Sequence, residues 1–188
     1  MTTTTHQVGV VAEGFRCLGP SRYDAVAVWG VAKGGGWPCK LDFLEKKPDG
    51  STLQQTLDQN LMTAFVMCSQ HFGKGLRPTP DARLDDGFMD LAYLDGAATR
   101  GEMLAIFNML PTGAHKSGAV PGIQMKQVKT CTMDVGQPGV VNIDGECLRH
   151  DGKLEFEMLE KRLEIFCPAT YEPLHPSDAE ASKKADWA

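Results

Sequence analysis

The chain has 188 residues, a mass of 20.5 kDa and a formal net charge of −5. This length predicts one domain, and 42% hydrophobic with 23% charged residues excludes wholesale disorder. The acidic balance argues against a dedicated nucleic-acid binder. No apolar run approaches the roughly 18 residues of a membrane span, and the polar start Met1–His6 lacks the features of a secretory signal. Six scattered cysteines with no CxxC pair predict free thiols in a cytoplasmic protein.

The first periodic segment predicts a helix that opens at Pro20 and ends at Gly34-Gly35-Gly36. Its apolar stripe has the spacing i, i+3, i+4, i+7, i+8 and consists of Tyr23, Val26, Ala27, Gly30 and Val31. Beyond it, Cys39, Leu41 and Phe43 alternate with charged residues and predict a strand, which Pro48-Asp49-Gly50 turns.

The middle of the chain gives one ambiguous segment and two clear ones. From Thr52 to Cys68, the spacing of Leu53 and Leu57 suits a helix turn, while Met62–Cys68 suits a buried strand. Residues 88–94 read as a strand after the Asp85-Asp86-Gly87 turn. Thr99 and Glu102 have the spacing of a capping box and predict a helix that Pro111 ends.

The remainder reads as a β-meander, with short strands predicted over 128–133, 139–143, 153–158 and 162–167. The predicted fold is mainly β (α+β), a two-sheet antiparallel β-sandwich with about two flanking helices. Residues 1–7 are expected to form a flexible start, 8–167 the domain and 168–188 a disordered tail.

Two acidic turns are candidate sites. In Asn142-Ile143-Asp144-Gly145-Glu146, two carboxylates flank a glycine between two strands, so they can hold Mg²⁺ or act as a base. Residues 80–87 place three carboxylates in one loop that can bind a hard cation. Both segments are equally typical of plain solvated turns, because Asp-Gly is a common hairpin signal.

Three further patterns have a chemical and a structural interpretation. The loop Phe72-Gly73-Lys74-Gly75 suits phosphate binding or a flexible turn, and its spacing is not that of a P-loop. Two C-x₂-H pairs, one starting at Cys68 and one at Cys147, allow a zinc site but lack a finger framework. His115, which follows the second predicted helix, is typical of a hydrogen-bonding residue at a helix end.

Taken in order, these segments resemble one family. The run from Phe65 to Leu91, then Gly113-Ala114-His115, then Asn142–Glu146 resemble the C-terminal domain of lipid kinases, which include diacylglycerol kinases, sphingoid-base kinases and bacterial relatives. The stretch Ala12–Tyr23 is similar to the sphingosine-kinase-like branch. The resemblance covers about residues 8–167 and implies a β-sandwich that helps to form the lipid site.

The family pairs this domain with an N-terminal nucleotide-binding domain that carries a Gly-Gly-Asp-Gly-Thr loop. This chain contains no such sequence, so the resemblance implies the second domain alone, with the nucleotide-binding domain as its partner. It implies Asp144 as the catalytic base, and Glu146 with Gly145 close to the phosphates of Mg-ATP. ATP and Mg²⁺ are therefore the expected cofactors.

The resemblance also assigns a structural Mg²⁺ and a lipid pocket. Asp86 matches the side-chain ligand of the metal, completed by the backbone carbonyls of Arg83 and Met89. The helix from Pro20 would line the lipid pocket with Tyr23, Val26 and Ala27.

The chain departs from the family pattern at three places. Gly73-Lys74-Gly75 replaces a Gly-Gly-Gly that is frequent in relatives, and Cys68-Ser69 replaces Asn-Gly, which is nearer to the sphingosine-kinase side. Sphingosine kinases carry an acidic pair where this chain has Gln7 and Gly9, which argues against sphingosine as the substrate.

Two functional hypotheses follow. In the first, the chain is the lipid-substrate side of an ATP-dependent kinase for diacylglycerol or a sphingoid base, inactive alone, cytoplasmic and in peripheral contact with membranes. In the second, it is a non-catalytic β-sandwich that binds lipid or protein.

Overall fold

The computed structural model describes residues 29–30, 35–72, 75–117, 120–144 and 146–159. Within those ranges the chain forms strands β1 (Trp37–Lys46), β2 (Thr52–Met67), β3 (Met89–Asp95), β4 (Ile123–Asp134), β5 (Gly139–Ile143), β6 (Glu146–His150) and β7 (Lys153–Glu157). Helix α1 (Arg100–Met109) and a 3-10 helix (Ala114–Ser117) lie between β3 and β4.

The first four strands close into a ring. All pairings are antiparallel: β1 with β2, β2 with β3, β3 with β4, and β4 back onto β1. Strand β4 is long enough to pair with two strands in turn. It pairs with β3 from Ile123, opposite Leu94, to Val128, opposite Met89, and with β7 from Thr130 onward. Closing a sheet on itself leaves few strand edges exposed and encloses a core.

The core inside the ring comes from side chains that alternate along the strands. Cys39, Leu41 and Phe43 of β1 are each at most 2% exposed, so the predicted alternation of β1 is confirmed. They pack with buried residues of the other three strands: Leu61, Met89, Leu91, Tyr93, Val128, Cys131 and Met133. A second cluster lies under α1 and contains Met62, Leu94, Met103, Ile106 and Val120.

Helix α1 begins as its capping box predicts. The Thr99 hydroxyl accepts a hydrogen bond from the Glu102 amide, and the Glu102 carboxylate accepts one from the Thr99 amide at 2.7 Å. These reciprocal bonds satisfy two of the amides that a helix start leaves unpaired.

Strands β5 and β6 form a separate two-stranded hairpin. Ile143 pairs with Glu146, which leaves Asp144-Gly145 as a two-residue loop. Asp144 has a φ of 50°. Positive φ is what the tight turns of two-residue hairpins require, and Asp tolerates it better than most residues. The hairpin predicted around Asp-Gly is therefore confirmed.

One sequence interpretation is corrected. Thr52–Met67 is a single strand of 16 residues, so the helical spacing of Leu53 and Leu57 was misleading. The reason is tertiary: β2 pairs with β1 along the whole of Thr52–Leu61, and this ladder overrides the local periodicity. Strand β4 likewise begins at Ile123, five residues before the predicted start.

The predicted fold class is confirmed as mainly β with antiparallel sheets. Of the predicted first helix, only Trp29 and Gly30 are described, and both are helical. Tyr23, Val26 and Ala27, the predicted strand 162–167, the start 1–7 and the tail 168–188 lie outside the described residues. No helix in the described ranges is long and apolar enough to cross a membrane.

Candidate functional site

Carboxylates from three parts of the chain surround the end of β2. Burial first, and then the charges of Asp90, Asp144 and Asp86, raise the pKa of the Cys68 thiol. The charges of these three carboxylates therefore all act on Cys68. We call Cys68, Asp86, Asp90 and Asp144 the acidic end. Asp86 and Asp144, which stand in the two turns that the sequence singled out and are separated by more than fifty residues, thus both act on the same thiol.

Asp86 is held on the connection between β2 and β3. Its Oδ1 accepts a hydrogen bond from the Phe88 amide at 3.0 Å, and its Oδ2 accepts one from Gln127 Nε2 at 2.9 Å. Gly87 has a φ of 74°, a conformation that lets the chain turn back immediately after Asp86. The bond to Gln127 anchors this turn to β4.

The other two residues of the predicted metal site flank Asp86 in the same connection. Arg83 is exposed and its Nε donates to Asp85 Oδ1 at 3.1 Å. This pair holds the pKa of Asp85 below its ordinary value, mainly through the hydrogen bond from Arg83. Met89 is buried at the first position of β3. Arg83 thus precedes Asp86 in the connection and Met89 follows it in β3, and a metal at these residues stays a prediction.

Asp90 is the residue that sequence reasoning missed. It is 6% exposed, and its Oδ2 has no hydrogen-bond partner among the described atoms. Burial, followed by the charges of Asp86 and Asp81, raises its pKa to about 7, and only Lys46 acts in the opposite direction among the causes. The available signal was a carboxylate inside strand β3, between the apolar residues Met89 and Leu91.

An unsatisfied buried carboxylate oxygen beside two other carboxylates suits a hard cation, because Mg²⁺ and Ca²⁺ bind oxygen ligands. In the described part of the chain, no three His, Cys, Asp or Glu side chains converge closely enough to hold a metal ion. The donor set therefore fits a cation only if backbone carbonyls or waters complete it, as in the set predicted from Asp86. The Cys₂His₂ zinc hypothesis is wrong, because its four residues are all described and do not converge.

The Asp144 turn presents its carboxylates to solvent. Asn142, Asp144 and Glu146 are all exposed, and Gly145 lies outside the described residues. Glu146 is the first residue of β6 and pairs with Ile143 across the hairpin. An exposed carboxylate at a hairpin tip is accessible to a group carried by another domain.

His115 has a structural position rather than a place in the acidic end. It is fully buried, and its Nε2 lies 3.0 Å from the Pro78 carbonyl oxygen. This contact ties the 3-10 helix to the connection between β2 and β3. The hydrogen-bonding role predicted for His115 is confirmed, but its partner is a distant loop and not the end of its own helix.

A cavity of about 400 Å³ lies at the other end of β3. It is lined by polar side chains that include Gln59, Asp95, Glu102 and Gln124. Asp95 Oδ1 accepts from the Ala97 amide at 2.7 Å, and Glu102 caps α1. Both carboxylates of this cavity therefore have structural roles.

Comparison with known proteins identifies the family and the fold of the chain. Residues 7–167 match the family described as "YegS C-terminal NAD kinase beta sandwich-like domain". Human sphingosine kinase 2 is 27% identical over 104 residues, which is 55% of this chain and 16% of that protein.

Two solved chains from Bacillus anthracis str. Sterne, described as diacylglycerol kinases, share the fold. One has a TM-score of 0.52 and 15% identity, over 72% of this chain and 44% of its own. The other has a TM-score of 0.51 and 17% identity, over 80% of this chain and 46% of its own. The chain thus spans less than half the length of each of these relatives.

Proposed function

We infer the function from an established membership: the chain belongs to the family of YegS C-terminal, NAD kinase beta sandwich-like domains. We propose that it is the lipid-substrate side of an ATP-dependent lipid kinase that phosphorylates a lipid hydroxyl, on diacylglycerol or a sphingoid base. A separate nucleotide-binding domain completes the catalytic site. The observation that carries this proposal is the exposed carboxylate of Asp144 at the end of the β5–β6 hairpin, in a domain of this family.

Phosphoryl transfer to a hydroxyl needs an acceptor for one proton, positioning of the reactants and stabilisation of phosphate charge. In our proposal Asp144 accepts the proton from the lipid hydroxyl. Its exposed position at the hairpin tip allows the carboxylate to enter a cleft formed with the nucleotide-binding domain. Glu146, two residues further along, is then placed on the nucleotide side together with Gly145.

Mg²⁺ has two proposed places. With ATP, it supplies positive charge to the phosphates next to Glu146. At the connection between β2 and β3, Asp86 and the carbonyls of Arg83 and Met89 would hold a second ion. The unpartnered Oδ2 of Asp90 supports a cation at this place, because a bound ion would compensate a buried carboxylate oxygen that has no hydrogen-bond partner among the described atoms.

The lipid pocket stays a prediction. Tyr23, Val26 and Ala27 are proposed to contact the apolar chains of the substrate. Two apolar side chains in the connection between β2 and β3 are exposed, Phe72 by 48% and Leu84 by 50%, and they would favour peripheral contact with a lipid surface. A cytoplasmic location with access to membranes follows from such a substrate.

The test uses the 188-residue chain alone and mixed with the nucleotide-binding domain of a diacylglycerol kinase. Labelled phosphate is followed from Mg-ATP into diacylglycerol or sphingosine in mixed micelles. We expect transfer in the mixture and none by the chain alone. Asp144→Asn should lower the rate by about 10²–10⁴-fold, the usual contribution of a general base. Asp151→Asn, an exposed aspartate in the next turn, is the control and should keep the wild-type rate.

Two results would contradict this proposal. An active Asp144→Asn mixture would show that Asp144 is not the base. Absence of transfer with every lipid, while both proteins are folded and bind each other, would instead favour a non-catalytic lipid-binding module.

The proposed metal at Asp86 has its own test. EDTA should lower the melting temperature of the wild-type chain, and excess Mg²⁺ should restore it, because a ligand that binds only the folded state stabilises that state. Asp86→Ala should remove this sensitivity. An EDTA-insensitive wild type would identify the Asp86 segment as a plain turn.

A further inference from the structure

Arg77 is a buried cation without a described counter-ion. The residue is 9% exposed, and its Nε is buried without a hydrogen-bond partner. Its Nη2 donates to the Oε1 of Gln70 at 2.9 Å. The ion pairs of the described residues use other cations, namely Lys40, Arg83, Lys126 and Lys153. A neutral amide is thus the partner of a full positive charge.

Such an arrangement is unfavourable in an empty protein. Removing a charge from water is costly unless an opposite charge and hydrogen bonds replace the lost hydration. Gln70, itself 5% exposed, supplies one acceptor and no charge. A guanidinium has five N–H donors, so most of its hydrogen-bonding capacity is available to something else.

Hydrogen bonds hold the backbone around Arg77 in place. The Arg77 amide donates to the Leu110 carbonyl at 2.9 Å. The next residue, Pro78, contacts His115 through its carbonyl, and the Thr79 hydroxyl donates to the Ser69 carbonyl at 2.9 Å. These bonds join both ends of the segment to α1, to the 3-10 helix and to the end of β2.

His71 places a second donor beside Arg77 and connects it to the surface. It is exposed, and burial together with the charge of Arg77 lowers its pKa below the ordinary value. The Phe72 amide donates to the Leu76 carbonyl at 2.9 Å, and this closed turn brings its two flanking residues, His71 and Arg77, close together. The neutral imidazole can still donate one N–H.

We propose that Arg77, with His71 at its rim, binds a phosphate-bearing anion. Arginine is suited to this ligand, since its planar donors match two phosphate oxygens at once and the charge strengthens each bond. The phosphate would replace the hydration that Arg77 loses on burial. This inference is independent of the kinase proposal, because it concerns binding by the isolated chain and not transfer.

The first measurement is ³¹P NMR of inorganic phosphate titrated with the purified chain at pH 7 and constant ionic strength. We expect saturable line broadening by the wild type. Arg77→Met keeps the stem of the side chain and removes its charge, and it should weaken binding at least about 10-fold. Arg77→Lys keeps the positive charge but lacks the planar donors that match two phosphate oxygens, so it should bind phosphate with an affinity between those of the wild type and Arg77→Met. The absence of saturable broadening with the wild type would overturn the proposal.

Arg100→Met is the matched control, because Arg100 is an exposed arginine at the start of α1. Equal loss of binding in this variant would show that only general positive charge is involved, and it too would overturn the proposal. If Arg77→Met does not fold, His71→Ala tests the same site on an exposed residue. It should weaken phosphate binding by about 2- to 10-fold, the value of one hydrogen bond.

Vesicles distinguish the two sources of the phosphate. Sedimentation with phosphatidylcholine vesicles that contain phosphatidic acid is compared with sedimentation with pure phosphatidylcholine. Co-sedimentation that depends on both phosphatidic acid and Arg77 would assign the site to a lipid headgroup. Phosphate binding in solution without such co-sedimentation would assign it to a soluble phosphate ester. Either result requires the Arg77-dependent NMR signal.

Discussion

The Asp90→Asn variant tests whether ionisation of the buried Asp90 carboxyl destabilises the folded chain when no metal is bound. Asp90 is almost fully buried, has an unpartnered oxygen, and has a pKa raised from 3.8 to about 7 by burial and by Asp86 and Asp81. Asparagine has nearly the same shape and cannot ionise. We therefore expect the variant to gain stability relative to the wild type as the pH rises.

The sign and size follow from proton linkage. Between pH 3.8 and 7 the folded carboxyl keeps its proton while the unfolded one has lost it, so the folded state binds more protons and its stability falls with rising pH. Each pH unit in that window costs about 1.4 kcal/mol. From pH 5 to pH 8 the window spans about two units, so the advantage of the variant should grow by roughly 2–3 kcal/mol.

Urea unfolding at pH 5 and pH 8, in EDTA, measures this difference. The pH dependence of all other carboxylates is common to both proteins and cancels when the variant is compared with the wild type. Asp151→Asn, in the exposed turn after β6, serves as the control and should show no growing advantage. If the Asp90→Asn advantage is the same at pH 5 and pH 8, the Asp90 carboxyl is not held in its protonated form, and our account of the acidic end is wrong.

Three further variants test the scaffold. Gly113→Ala should lower the free energy of unfolding by about 2 kcal/mol or more, because Gly113 has a φ of 71° and its added Cβ would lie 2.7 Å from Pro80 Cβ. Its control, Gly50→Ala, has a φ of 82° but open space around the added Cβ, and it should cost about 1 kcal/mol. Similar losses in the two variants would contradict the close approach of Gly113 to Pro80. Thr99→Ala should cost about 1 kcal/mol in thermal or urea unfolding, since it removes a helix cap, and a neutral result would mean that solvent caps α1 equally well. Leu91→Ala, at a fully buried position of β3, should cost about 2–5 kcal/mol, and a loss below 1 kcal/mol would show that the ring is loosely packed there.

Features determined by neighbouring residues were accessible from the sequence. The capping box at Thr99 and Glu102 depends on residues three apart, and the hairpin at Asp144 depends on a two-residue loop. Both were predicted correctly because their chemistry acts over one turn of chain. The alternation of β1 was equally readable, since one face of the strand is buried and the other is not.

Features that depend on distant pairing were not accessible. Leu53 and Leu57 have a spacing that fits a helix, and only the ladder with β1 makes them part of a strand. The pairing of β1 with β4, which closes the ring, joins residues about ninety positions apart and leaves no local mark. The same limit explains why the sequence did not single out Asp90.

The sequence predicted the turns that carry the candidate site residues, but not how residues from different turns are placed relative to one another. The sequence and the family resemblance singled out Asp86 and Asp144 separately, and in the structure the charges of both act on Cys68. Arg77 lies in a run that the resemblance covers, yet its burial against Gln70 depends on how the connection folds onto α1. Charged residues that become buried give no periodic signal, and they were found only through their missing partners.

Arg77 and Asp90 raise a question that a double-mutant cycle answers. They are buried charges of opposite sign at the two ends of one stretch of chain, and neither forms an ion pair among the described residues. If they belong to separate sites, one for an anion and one for a cation, the stability effects of Arg77→Met and Asp90→Asn should add within about 0.5 kcal/mol.

If the side chains of Arg77 and Asp90 instead form an ion pair in solution, each single variant leaves the other charge without its counter-ion. The double variant would then be more stable than the sum predicts by more than about 1 kcal/mol, as is typical of buried pairs that lose one partner. Urea unfolding of the four proteins at pH 8 in EDTA, where Asp90 is ionised, gives the coupling directly. Strong coupling would remove the basis for both ligands, because each charge would already have its counter-ion. Additivity would show that Arg77 and Asp90 do not neutralise each other, as the proposal of two separate ligands requires.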